Sequence, residues 1–146
     1  MEGAKAAGVK RVVLTSSMAA IQCPADEDKP ADGVWTEKHW SNPDRPNGLH
    51  PYLESKTLAE RAAWKFVDDL PADQKIELAT ICPSFIFGPA QQTEKFTVGD
   101  IFAKALRGEQ NPVPKSAIGI VDVRDVARAH VLCITVPEAK GHRFIT

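Results

Sequence analysis

The chain has 146 residues, room for one ordinary domain. Apolar residues make up 43% and charged residues 25%, and the formal net charge is −1, so no global field attracts nucleic acid or an anionic membrane. No apolar run reaches membrane-span length, and the opening MEGAKAAGVKRVVLTSS lacks the pattern of a signal peptide.

The first residues, 1–7, read as the last turns of a helix stopped by Gly8. Val12, Val13 and Leu14 in RVVLTSS form a continuous apolar run, which predicts a strand buried on both faces of a parallel sheet. Residues 23–50 are rich in Pro, Asp, Asn and Gly and predict a long excursion without regular structure, a kind of loop that is commonly functional or disordered. A strong helix is predicted over 51–70. Pro51 suits its first turn, Ala59, Ala62, Ala63, Phe66, Val67 and Leu70 recur at three- and four-residue spacing, and Pro71 ends it.

A second buried strand is predicted over 78–82, broken by Pro83 and closed by Gly88-Pro89. A helix over about 98–106 stops at Gly108, and SAIGIVDV reads as a short extended segment. VRDVARAHVLCITV reads as a helix with Asp122 as N-cap, and GHRFIT as the start of one more strand. Strand, long helix, strand, helix, helix is an α/β order. Both ends look cut, one near a helix end and the other inside a strand.

Three cysteines, Cys23, Cys82 and Cys133, stand far apart, with no CxxC pair and no zinc spacing to the histidines. They point to a reduced, cytoplasmic chain, with Cys82 and Cys133 as buried thiols.

The chemistry lies in PYLESKTLAER, which holds the one tyrosine of the chain. Four-residue spacing puts Tyr52 and Lys56 on one helix face, one turn apart. Ala59, Ala63 and Phe66 share that face, so it is expected to look inward. A free phenol titrates near ~10, and a neighbouring ammonium stabilises the phenolate and lowers that value. Tyr52 could then give a proton to a carbonyl oxygen or take one from an alcohol. The same spacing also describes a lysine that merely covers apolar surface. TSS, ending in Ser17, sits at the C-terminal end of a strand, where open α/β sheets bind ligands. CPSFIFGP follows the end of another.

In order along the chain, TSSMAA, YLESK, CPSFIFGP and VDVRDVARAH resemble the extended short-chain dehydrogenase/reductase superfamily, which includes the NAD-dependent epimerases and dehydratases. SKTLAERAAWKF and the loop with Glu37 and Trp40 resemble the dihydroflavonol reductase and cinnamoyl-CoA reductase branch in particular. The resemblance implies an α/β fold: part of a Rossmann-type parallel sheet with flanking helices and the start of a small C-terminal substrate region. It implies an NADP- or NAD-dependent reductase of an aldehyde, ketone or dihydroflavonol-like carbonyl. Tyr52 matches the catalytic acid/base. Lys56 matches the lysine that holds the nicotinamide ribose and acidifies the tyrosine. Ser17 matches the residue that polarises and orients the carbonyl, with Ser16 second to it. Pro83, Ser84 and Ile86 match the segment that positions the nicotinamide carboxamide, largely through backbone groups. In that scheme hydride passes to the carbonyl carbon while Tyr52 supplies the proton.

Asp122, Arg124 and Asp125 read mainly as a helix cap with ion pairing, His50 as a solvated loop histidine, and Phe85, Phe87 and Phe96 as cleft or core aromatics. The family's glycine-rich turn, which cradles the pyrophosphate, is absent: nine glycines include no G-x-x-G-x-x-G or G-x-G-x-x-G. Residues 1–146 thus resemble a single partial domain lacking the nucleotide-binding half, expected to bind dinucleotide poorly and to fold poorly without its sheet neighbours. Two rival readings stand beside the reductase. One is a sugar-nucleotide epimerase or dehydratase, disfavoured because the serine motif continues Met18-Ala19-Ala20-Ile21 rather than into Tyr-Gly. The other is a catalytically silent fragment.

Overall fold

A computed structural model describes residues 1–23, 29–45, 48–90, 97–109 and 117–146. Its elements, in order, are α1 (Glu2–Ala6), β1 (Arg11–Thr15), a 3-10 turn (Met18–Ala20), α2 (Pro51–Asp68), a 3-10 turn (Ala72–Gln74) and β2 (Glu77–Cys82). Then come β3 (Phe85–Phe87), α3 (Thr97–Leu106), β4 (Ile120–Asp122), α4 (Val123–Thr135), a 3-10 turn (Pro137–Ala139) and β5 (Arg143–Ile145). The predicted α/β order holds throughout, and the described part of the 23–50 excursion contains no helix or strand.

The main sheet has the order β1-β2-β5, with all strands parallel; Val12 lies beside Leu78, Leu14 beside Thr80 and Ile81 beside Phe144. A second, two-stranded parallel sheet pairs β3 with β4. Side chains alternate across the main sheet. Val12, Leu14 and Leu78 pack toward α2 with Ala63, Val67 and Leu70. Val13, Ala79 and Ile81 pack the other way, with Ala129 and Cys133 of α4 and with Phe144. The sheet is therefore sandwiched between helices. Burying a side chain such as Ile81, which is 0% exposed, contributes roughly 1.5–3 kcal/mol.

Two expectations need correction. Val12, Val13 and Leu14 are only half-buried, because among the described residues β1 has a neighbouring strand on one side alone. Backbone groups alternate along a strand. The Ser16 N–H points to Ile81 of β2 (2.7 Å), so the N–H groups of Arg11, Val13 and Thr15 point away from it, and no described strand pairs with them. On α2, Ala59 and Ala62 are exposed, and the buried stripe is Thr57, Glu60, Ala63 and Val67. Alanines add little apolar area, so they do not decide which face turns inward.

α2 is well delimited. Pro51 fixes the first turn, and the Tyr52 N–H donates to Nδ1 of His50 (3.2 Å), which makes His50 the N-cap rather than a merely solvated side chain. At the other end Lys75 Nζ donates to the carbonyls of Val67 and Asp68, satisfying acceptors the helix leaves open. Arg11 does the same for α4, donating to the carbonyls of Cys133, Ile134 and Val136 while pairing with Glu77 at 2.7 Å. Cys82 and Cys133 are buried thiols, as expected. Among the described residues no helix is long and apolar enough to cross a membrane, and no cluster of side chains could hold a metal ion.

Candidate active site

β1 and β2 are parallel and joined by α2, so α2 runs back along the sheet and begins beside the C-terminal ends of both strands. At that end the chain is stitched across. Ser16 N–H donates to the Ile81 carbonyl (2.7 Å), and Met18 N–H donates to the Pro83 carbonyl (3.0 Å). The TSS and CPSF segments therefore form one rim. The 3-10 turn after Ser17 packs against α2, the helix that carries Tyr52 and Lys56.

Ser17 is half-buried and caps that turn, its Oγ accepting the Ala19 N–H at 3.1 Å. The cap fixes the oxygen and leaves the hydroxyl hydrogen free for an outside acceptor, such as a carbonyl oxygen. Ser16 differs. It is buried, and its hydroxyl donates to Oε2 of Glu60 at 2.6 Å. Of the two serines, Ser17 alone has a hydroxyl hydrogen available to a ligand.

Tyr52 and Lys56 do sit one turn apart, and their face turns inward only further along the helix, where Glu60 and Ala63 are buried. Tyr52 is 51% exposed, Lys56 is half-buried, and Ala59 beyond them is exposed. Among the described residues neither the Tyr52 hydroxyl nor the Lys56 ammonium makes a hydrogen bond or ion pair. Exposure is a requirement for a group that must touch an incoming molecule.

Pro83, Ser84 and Ile86 carry on from β2. The Ser84 N–H and hydroxyl both donate to the Thr146 carbonyl, each at 2.8 Å, which commits them to the fold. The Phe85 N–H donates to the Gly119 carbonyl of the strand partner (3.1 Å). By alternation the Ile86 N–H points the other way, to the side of β3 that no described strand covers. Phe85 is at the border of exposure, while Phe87 packs edge-on against Phe102 with centroids 4.2 Å apart. Phe96 lies outside the described residues. Asp122 caps α4 through the Arg124 N–H (2.8 Å) and pairs with the Arg124 side chain (2.7 Å), as its spacing suggests. The Arg124 side chain and backbone N–H hold its carboxyl down to about 2.

Sequence reasoning missed Glu60 and Arg143. Glu60, eight residues beyond Tyr52 on α2, is 1% exposed. Besides Ser16, its carboxylate accepts from Thr80 Oγ1 (2.8 Å), Trp64 Nε1 (3.2 Å) and both Nε and Nη2 of Arg143 (2.8 and 3.1 Å). Arg143 reaches further, donating from Nη1 to the carbonyls of Glu37 and His39, each at 2.7 Å. Its guanidinium lies over the Trp40 ring at 3.6 Å, a cation–π contact. Glu37 Oε1 in turn accepts the Ile145 N–H. Burial pushes the Glu60 carboxyl up, but the hydrogen bonds and charge of Arg143, with those of Ser16 and Thr80, outweigh it and hold the group below the usual carboxylate value. A signal was present: Tyr52, Lys56 and Glu60 repeat at four-residue spacing, and an arginine stands inside the strand segment GHRFIT.

Comparison with known proteins bears on the family and the fold. The model of the 3-beta hydroxysteroid dehydrogenase/isomerase family matches residues 1–141. Cinnamoyl-CoA reductase CAD2 of Medicago truncatula is 38% identical over 146 residues, covering 97% of this chain and 42% of that protein. The NADPH-dependent methylglyoxal reductase GRE2 of Saccharomyces cerevisiae is 31% identical, covering 94% of the chain and 43% of that protein. The crystal structure of Gre2 from Candida albicans in complex with NADPH superposes with a TM-score of 0.72 at 34% identity, over 94% of this chain and 43% of that one. The chain thus spans less than half the length of these relatives.

Proposed function

The chain belongs to the 3-beta hydroxysteroid dehydrogenase/isomerase family, and on that premise we propose that it carries the catalytic part of an NADPH-dependent carbonyl reductase. The observation that supports this most is the shared rim. The free hydroxyl hydrogen of Ser17, the first two turns of α2 with Tyr52 and Lys56, and the Pro83–Ile86 segment all lie at the C-terminal ends of β1 and β2. Ligands of open α/β sheets bind at that edge.

The residues fit the nicotinamide end of the cofactor. Tyr52 is exposed and Lys56 half-buried, with polar heads that no described residue engages and that suit ribose hydroxyls, and the outward N–H of Ile86 suits the carboxamide oxygen. They do not supply a pyrophosphate cradle, since the 146 residues contain no glycine-rich turn of the dinucleotide type. When bound, the nicotinamide supplies a hydride to the substrate carbonyl carbon. The chain's own work is alignment and proton delivery. Ser17 donates its hydroxyl hydrogen to the carbonyl oxygen and fixes its direction. Tyr52 gives the proton that oxygen needs as it becomes an alcohol. Lys56, one turn away, holds the ribose and places a positive charge beside the phenol.

The substrate class is a small aldehyde, ketone or dihydroflavonol-like carbonyl, as for relatives that reduce methylglyoxal or cinnamoyl-CoA. Three free cysteines suit the reducing cytoplasm. The test is carbonyl-dependent NADPH oxidation by the complete gene product, set beside its Tyr52→Phe variant. Turnover by the parent, and its loss with retained NADPH binding in the variant, is expected. An equally active Tyr52→Phe protein, or turnover of UDP-sugars in place of carbonyls, would overturn the reading.

A further inference from the structure

We propose that Glu60 is a positioning residue of this site, holding the turn that bears Ser17 in register with the helix that bears Tyr52 and Lys56; this rests on the reductase reading above. Tyr52, Lys56 and Glu60 follow one another at four-residue intervals on α2, so the carboxylate is rigidly linked to both reacting groups through helical backbone. Its other end grips the rim. Oε2 takes the Ser16 hydroxyl at 2.6 Å, one residue from Ser17, and the Ser16 N–H is itself fixed to Ile81. Oε1 takes Thr80, two residues before Cys82 and the Pro83–Ile86 segment. Arg143 closes the group from β5 and extends it to the loop carbonyls of Glu37 and His39. A single side chain thus ties the three motifs of the site together.

Stability alone gives no reason for such a group. Taking two charges out of water costs about as much as their attraction returns, and apolar residues of similar volume commonly stabilise a fold as well or better. What an apolar pair cannot do is fix direction. A carboxylate saturated by five donor groups has one orientation, whereas packed methyls slide. Proton delivery by Tyr52 onto an oxygen held by Ser17 is sensitive to such sliding, since about 1 Å of misplacement can cost roughly a hundredfold in rate.

The test replaces the polar pair by an apolar one, Glu60→Leu with Arg143→Met, in the complete gene product. Ser16→Ala is made beside it, because it removes one tether and leaves the ion pair in place. Measured are the thermal midpoint without cofactor, the NADPH dissociation constant by fluorescence titration, and kcat and KM for the carbonyl. The expected result is a kcat lower by about 10- to 100-fold in the double variant, with NADPH affinity and KM near those of the parent and a thermal midpoint lowered by the buried Ser16 and Thr80 hydroxyls left unpaired. Ser16→Ala should lose kcat in the same sense, without loss of fold. A kcat within about threefold of the parent in Ser16→Ala, or in a well-folded double variant, overturns the proposal. Those outcomes leave the reductase reading intact so long as the parent turns over and Tyr52→Phe does not. An inactive parent removes both.

Discussion

Glu60 and Arg143, on α2 and β5, meet in a fully enclosed ion pair, Nε to Oε1 at 2.8 Å, with side chains 0% and 8% exposed. Breaking it from one side leaves a charge buried without its partner. Arg143→Met alone is therefore expected to destabilise the fold by about 3–5 kcal/mol, as read by urea denaturation.

The same pair sets a pH dependence. The folded carboxyl of Glu60 titrates below its ordinary value of 4.5. Its contribution is therefore fully present above that pH and is lost as the pH falls through the lower folded value. Thermal midpoints should fall with acid below about pH 4.5 in the parent. Glu60→Gln should flatten that slope; an unchanged slope would place the acid sensitivity elsewhere.

Ser17→Ala removes the hydroxyl hydrogen assigned to the substrate oxygen together with the cap on the Ala19 N–H, while Ser16 still holds the rim to Glu60. Turnover should fall by roughly 10²–10³, the usual loss for one oriented donor, with NADPH affinity unchanged. Ser17→Thr, which keeps the hydroxyl, should recover part of it.

Gly88 has φ +135°, and a Cβ there would lie 2.7 Å from Cγ1 of Val123. The conformation and the contact both reject a side chain. Gly88→Ala is expected to cost about 1–3 kcal/mol and to shift β3 against α4, loosening the segment that carries Ile86. Thermal unfolding checks the first effect and NADPH titration the second.

Thiol labelling should be ordered. Cys82 is 0% exposed, and burial, then the charge of Glu60, pushes its thiol up to about 11, so it carries almost no thiolate at neutral pH. Burial raises the Cys133 thiol as well. Cys23 is only half-buried and should react first with a maleimide under native conditions, the other two following only on unfolding. Early modification of Cys82 would mean that the core around Glu60 opens.

The elements were legible because they rest on local chemistry. RVVLT and ELATIC are apolar β-rich runs, Pro51 and Pro71 bracket α2, Gly8 has the positive φ that stops α1, and Asp122 caps α4. Tyr52, Lys56 and Ser17 were legible by motif, and the fold brings their elements to one end of the sheet. Glu60 and Arg143 were not. Their burial depends on partners from β1, β2, β5 and the 37–40 loop at once, and no window of sequence contains them together. Spacing alone counted the exposed alanines of α2 as core and passed over a glutamate that is core. The half-burial of β1 was hidden for a related reason: an apolar run shows what a strand can bury, not how many neighbours it has.

The outward amides of Arg11, Val13 and Thr15 have a practical meaning. A bare row of donors and acceptors acts as a template for another chain, so these 146 residues handled alone should tend to stick to one another along that margin. Because the margin runs straight into the tip that carries Ser17, a fourth strand laid against it would suppress the stickiness and brace the tip in a single act.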